Sequence, residues 1–105
     1  MKTTELSGEA LDWAVAEAEG HDFPVADAFC GIFNPSTDLA QGGPIIEREG
    51  IETTRGGAYV EHFWKATRHS NAAYGPTPLI AAMRCYVASK LGDTVDIPAE
   101  LRGDA

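Results

Sequence analysis

The stretch from Thr77 to Gly92, TPLIAAMRCYVASKLG, decides how the fold is read. Thr77 offers a side-chain oxygen at an N-cap, Pro78 stands where a helix tolerates a missing N–H, Lys90 sits in the last turn, and Gly92 supplies a stop. These signals predict a long helix from Thr77 to Leu91. Leu79, Ile80, Met83, Val87 and Leu91 form a broad apolar face. The opposite side, Ala81, Ala82, Cys85, Ala88 and Ser89, is too small and apolar for a face turned to water, which normally carries Glu, Lys and Gln. The helix is therefore expected to be covered on both sides, by another element or another subunit. One form of this is a homo-oligomer packed through Ala81, Cys85 and Ala88, and the other is coverage by an alanine-rich helix of the same subunit.

Working outward, Ser7 to Glu19 reads as an amphipathic helix, with Ala10, Leu11, Ala14, Val15 and Ala18 on one face, Ser7 as cap and Gly20 as stop. Trp13 borders that face and is expected to lid the core. From His21 to Pro35 there is no sustained period, which predicts a loop burying aromatics and a short strand near Ala28 to Phe33. Ser36 to Gln41 suits one helical turn, broken by Gly42 and Gly43. Pro44 then opens a short helix, Ile45 to Glu49, closed by Gly50. Ile51 to Arg55 and Ala58 to Ala66 flank Gly56-Gly57 and predict a β-hairpin with a two-residue turn. Thr67 to Gly75, polar and small, reads as a loop. Asp93 to Ala105 reads as an extended stretch through Val95 and Ile97, with a frayed end after Pro98.

These elements make an α+β fold: an N-terminal helix, a short central helix, a hairpin and a long C-terminal helix. The 105 residues suit a single domain, long enough to fold without staples. Sixteen Asp and Glu against eight Lys and Arg leave a formal charge of -8, which disfavours direct binding to nucleic acid or an anionic membrane surface. Met1 to Ser7 contain one lysine and no apolar run, so neither a signal peptide nor a membrane span is expected, and a cytoplasmic home is. Cys30 and Cys85 match no zinc or redox spacing and read as free thiols. His21, His62 and His69 show no ligand spacing, so no metal or other cofactor is expected.

The segment Ser36 to Pro44, STDLAQGGP, is the first place to look for binding, because glycines before a helix start leave N–H groups free for an anion. It lacks the lysine and spacing of a P-loop, and its glycines and Asp38 serve equally well as turn and cap. Thr77-Pro78 resembles a second helix start. Asp38, Gln41, Gly42 and Gly43, approached by Thr77 and Arg84, are thus expected to outline a pocket for an anionic small molecule. The competing reading makes Thr77 and the glycines structural and pairs Arg84 with Glu47 or Glu49. Arg48, Arg55 and Arg68 offer the same choice between ligand and carboxylate partner. No serine lies in a nucleophile-elbow pattern and the carboxylates form no diagnostic pair, so no catalytic residue is named and an enzyme is disfavoured.

Three blocks, LSGEALDWAVAEAEG, STDLAQGGPIIEREGI and GPTPLIAAMRCYVASKLGDTVDIP, occur in that order. Together they resemble the NinX-like family of small phage and prophage proteins. The resemblance implies an accessory phage product expressed inside a bacterial host, with no catalytic residue set to carry over. Three readings then stand: a non-enzymatic binder of an anionic small molecule such as a nucleotide-like signal, a protein-binding inhibitor or adaptor of a host factor, and a small enzyme of unfamiliar mechanism.

Overall fold

The computed structural model describes residues 1–20, 33–55 and 63–102. A 3-10 turn, Thr3–Glu5, leads into α1, Gly8–Ala18. Then come α2, Leu39–Glu49, the strands β1, Glu52–Arg55, β2, Trp64–Arg68, and β3, Asn71–Gly75, the long helix α3, Pro78–Leu91, and a last turn of helix, α4, Ala99–Arg102. The fold is α+β, with a three-stranded antiparallel sheet ordered β1-β2-β3. Among the described residues no helix is long and apolar enough to cross a membrane.

The long C-terminal helix is as its boundary signals require. The Thr77 hydroxyl accepts the Ile80 N–H at 3.0 Å, Pro78 opens the helix, and Gly92 ends it at φ 91°. Both sides are covered by the chain itself, with the sheet packed on α3 and α1 and α2 also against it. Ala81 and Cys85 are fully buried. Ala81 lies so close to Gly75 of β3 that a Cβ on that glycine would stand 2.8 Å from the Ala81 nitrogen. The small side of α3 thus seats the sheet at Ala81 and Cys85, while Ala88 stays partly exposed. The cover is the sheet rather than the N-terminal helix alone, because small side chains let a strand approach a helix closely.

Helix α1 buries Ala10, Leu11, Ala14 and Val15, with Trp13 and Ala18 packed against the same core. It ends at Gly20, φ 78°. Ser7 occupies the N-cap position, but its side chain makes no capping bond.

Four expectations need correction. The central helix is continuous through Gly42-Gly43-Pro44, from an N-cap at Asp38 to Gly50 in the left-handed region. Pro44 cannot donate to the Ala40 carbonyl, but both residues are exposed, so water can serve that oxygen. Gly42 is buried where a Cβ would collide with the Pro35 carbonyl oxygen and the Leu79 side chain. This glycine permits close packing between α2, the preceding turn and the start of α3.

Second, the hairpin exists in a different register. Arg55 pairs with Trp64 and Glu52 with Thr67, so a two-residue turn at Gly56-Gly57 cannot close it. Residues 56–62 lie outside the described residues, as do Cys30, His21, His62 and most of the strand expected near Ala28 to Phe33. Third, the expected loop from Thr67 to Gly75 contains strand β3. The two-residue turn falls at His69-Ser70, between the paired Arg68 and Asn71, with His69 at φ 54°.

The C-terminal stretch is also more ordered than a frayed end. Val95 exchanges backbone bonds with Met1, Ile97 is buried, and Leu101 of α4 joins the core.

Candidate functional site

The six residues expected to outline one pocket fall into separate places. Asp38 caps α2, its carboxylate accepting the Ala40 N–H at 3.0 Å. The Gln41 amide donates to Asn34 Oδ1 at 2.8 Å and Asp38 Oδ2 at 3.0 Å, and its oxygen accepts the Asn34 N–H at 2.8 Å. Gly42 and Gly43 lie within the helix, where the Gly42 N–H already bonds to the Asp38 carbonyl. Thr77 borders the start of α2 across a groove that it shares with Ser36, Thr37, Leu39, Pro78, Leu79 and Ile80. The two helix starts thus meet, but over mostly apolar side chains and with both caps filled by Asp38 and Thr77.

Arg84 is elsewhere, and neither sequence reading places it. Its Nε donates to the Leu6 carbonyl at 2.7 Å and its Nη1 to the Tyr74 carbonyl at 2.8 Å. It pairs with no carboxylate among the described residues. Glu49, one of its expected partners, is held by Arg48 at 2.7 Å, Arg68 at 2.8 Å and Lys90 at 3.8 Å. Arg48 also reaches Glu19 at 2.9 Å, and Arg55 lies over the Trp64 ring. The carboxylate-partner reading therefore holds for Arg48 and Arg68 and fails for Arg84.

The half-buried Arg84 guanidinium lines a cleft of about 220 Å³. One wall is Asn71 to Ala73 of β3, the floor includes Ala88 of α3, and the far wall is Lys2, Thr3, Thr4, Asp93 and Thr94. Lys2 and Thr94 form an isolated antiparallel bridge that ties this wall together. Burial lowers the Arg84 pKa from its ordinary value, and no carboxylate among the described residues bonds to it. The residue is nonetheless cationic at any physiological pH. Two backbone carbonyls fix its plane, while Nη2 has no partner among the described residues. A fixed guanidinium with free donors in a concave site is suited to hold a carboxylate or phosphate oxygen.

Sequence reasoning missed the other cleft residues because they gather from both ends of the chain. The bridge between Lys2 and Thr94, with the bonds from Thr3 to the Asp93 and Gly92 carbonyls, brings them together. The strand signal at Asn71 to Gly75 is faint, since Ala, Gly and Asn have little β-propensity.

The sequence model of the family described as Bacteriophage P22, NinX matches residues 2–90. The chain belongs to the NinX family. No curated protein matches it. As a NinX-family member it is a phage protein, and the matched span takes in the five helix and strand elements described from α1 to β3 and nearly all of α3. Within the NinX span lie Lys2, Thr3, Thr4, Asn71 to Ala73, Arg84 and Ala88 of the cleft, while Asp93 and Thr94 fall beyond it.

Proposed function

We propose that this NinX-family protein is a non-enzymatic phage accessory protein that acts in the cytoplasm of the host and holds an anionic small molecule against Arg84. The observation carrying this reading is the half-buried guanidinium, oriented by the Leu6 and Tyr74 carbonyls and ion-paired to no carboxylate among the described residues, Asp93 of the same cleft included. A buried cation left without a counter-charge is costly, and an anion entering the cleft supplies one. At about 220 Å³ the cleft is below the roughly 300–1,000 Å³ of ordinary ligand sites. It suits a small anion, or the charged end of a larger molecule such as a nucleotide.

Titration with phosphate and acetate, followed by amide NMR, tests this. Shifts are expected at Thr3, Ala72, Ala73 and Ala88, and are expected to vanish in Arg84→Gln once circular dichroism shows that the variant is folded. No shift at millimolar anion in the native protein overturns the reading.

A second reading, a protein-binding inhibitor or adaptor, draws on a different feature. Leu39 is 70% exposed beside the apolar groove of Pro78, Leu79 and Ile80. Affinity capture from host extract with native protein and with Leu39→Asp tests it. A host protein retained by the first and lost by the second supports it, and equal capture by both removes it.

A further inference from the structure

The wall of the Arg84 cleft is a strand edge. In the order β1-β2-β3, strand β3 is terminal, and its outer side has no strand partner among the described residues. The two-residue turn makes Arg68 and Asn71 a hydrogen-bonded pair, so the next pair, Thr67 and Ala72, is non-hydrogen-bonded. The Ala72 N–H and C=O consequently point away from β2, as do those of Tyr74. The bond from Arg84 to the Tyr74 carbonyl shows this outward direction. Ala72 is exposed, lines the cleft and makes no outer bond among the described residues.

Edge strands are usually blunted by charge, proline or a bulge. Strand β3, Asn-Ala-Ala-Tyr-Gly, has neither a charged residue nor a proline, and Ala72 and Ala73 leave room for a main chain alongside. Beyond this edge, where Tyr74 presents its carbonyl, stands the Arg84 guanidinium. A fully ionised carboxylate such as acetate only accepts, so by itself it offers nothing to the Ala72 carbonyl. An extended peptide offers an acceptor and a donor to the edge, and its terminal carboxylate meets the arginine.

We propose that the ligand of the cleft is a short extended peptide with a free C-terminal carboxylate, its main chain added to the outer edge of β3 at Ala72 and its carboxylate held by Arg84. This rests on the anion-binding reading above. With the carboxylate at the Tyr74 end, the peptide runs parallel to β3. The Ala72 N–H donates to a peptide carbonyl, and the Ala72 carbonyl accepts a peptide N–H. The cleft carries two cations, Arg84 and Lys2 on the facing wall, against one carboxylate, Asp93, and this balance favours the acid end of a peptide over its amide.

The test is titration of the full chain with acetyl-Ala-Ala, its C-terminal amide, its form N-methylated at the last amide, and acetate. The free acid is expected to bind at least tenfold more tightly than each of the other three. Ala72→Pro, which removes an outward N–H that the β2 ladder does not use, is expected to abolish the advantage over acetate while keeping acetate binding. If that variant does not fold, the N-methylated peptide makes the same test on the native chain. Equal binding of acetate and free acid, or no loss on N-methylation, overturns the peptide proposal and leaves the anion site standing. Failure of all probes, phosphate included, overturns both. A concentration-dependent dimer that protects the Ala72 amide would make a second copy the occupant and overturn the proposal.

Discussion

The Asp12 carboxylate accepts the Ser36 backbone N–H at 2.9 Å, joining α1 to the turn before α2 across a buried seam. Both residues are almost wholly buried, and the Ser36 hydroxyl beside them has no bond of good geometry. Asp12→Ala leaves the Ser36 N–H without an acceptor and is expected to cost about 1–3 kcal/mol in urea unfolding. Burial, the largest influence, raises the Asp12 pKa above its ordinary 3.8, and the nearby Ser36 hydroxyl and backbone N–H partly offset it. The folded chain therefore binds the proton more tightly than the unfolded chain. That contribution is fully present below pH 3.8 and is lost as pH rises through the raised value. Asp12→Asn keeps an acceptor and cannot ionise, so its stability relative to the native protein should increase from acid towards neutral pH. A flat difference would contradict this.

The adjacent glycines of α2 should respond oppositely. Gly42→Ala forces a methyl against the Pro35 carbonyl and Leu79, an overpacking cost of about 1–3 kcal/mol that exceeds the gain of about 1 kcal/mol in helix propensity. At Gly43 the nearest neighbour of a Cβ is a Leu39 methyl at 3.5 Å, so Gly43→Ala should stabilise by up to about 1 kcal/mol. Thermal melts of the two variants check the contrast, which would be absent if the glycines broke the helix.

Glu49 gathers Arg48, Arg68 and Lys90 at the junction of α2, β2 and α3. The Arg48 hydrogen bond, first among the influences, lowers its pKa from the ordinary 4.5. Its stabilisation is present above that value and is lost as pH falls through the depressed one. Half of the Arg48 side chain is in water, so Glu49→Gln is expected to cost only about 1 kcal/mol at neutral pH. The difference should shrink in high salt and vanish in acid, as chemical denaturation across pH and salt will show.

Tyr86 is buried, with its hydroxyl donating to Glu19 at 3.0 Å and accepting from Arg48 at 3.3 Å. Burial first, and then the Glu19 carboxylate, push the phenol up to about 12. The raised value favours the neutral phenol in the fold, so its contribution is lost as pH rises from the ordinary 10 through about 12. Phenolate absorbance should show a titration at about 12 that is absent in Tyr86→Phe. That variant should also lose about 0.5–1.5 kcal/mol at neutral pH.

Much of the helical framework is written locally. Thr77, Pro78 and Gly92 bound α3, and Ala10, Leu11, Ala14 and Val15 assign the buried face of α1, because caps and 3.6-residue periodicity involve neighbours within a turn or two. The candidate site was legible in one residue only. Arg84 stood out as a cation on a buried helix, but its carbonyl partners lie 78 and 10 residues away. Asp38 and Thr77 carry the signature of caps, and they are caps.

The sequence alone determined the limits of α1 and α3, the α+β class and the need to cover both sides of α3, since these depend on short-range geometry and on the cost of exposing apolar surface. The tertiary structure alone decided that Gly42-Gly43-Pro44 stays helical, that Arg55 pairs with Trp64, that Asn71 to Gly75 is an edge strand, and that Arg84 faces a cleft built from both ends of the chain. The physical reason is common to all four. A close contact, a strand register and the destination of a long side chain are each set by groups distant in sequence, whose pairing is chosen by the packing of the whole chain.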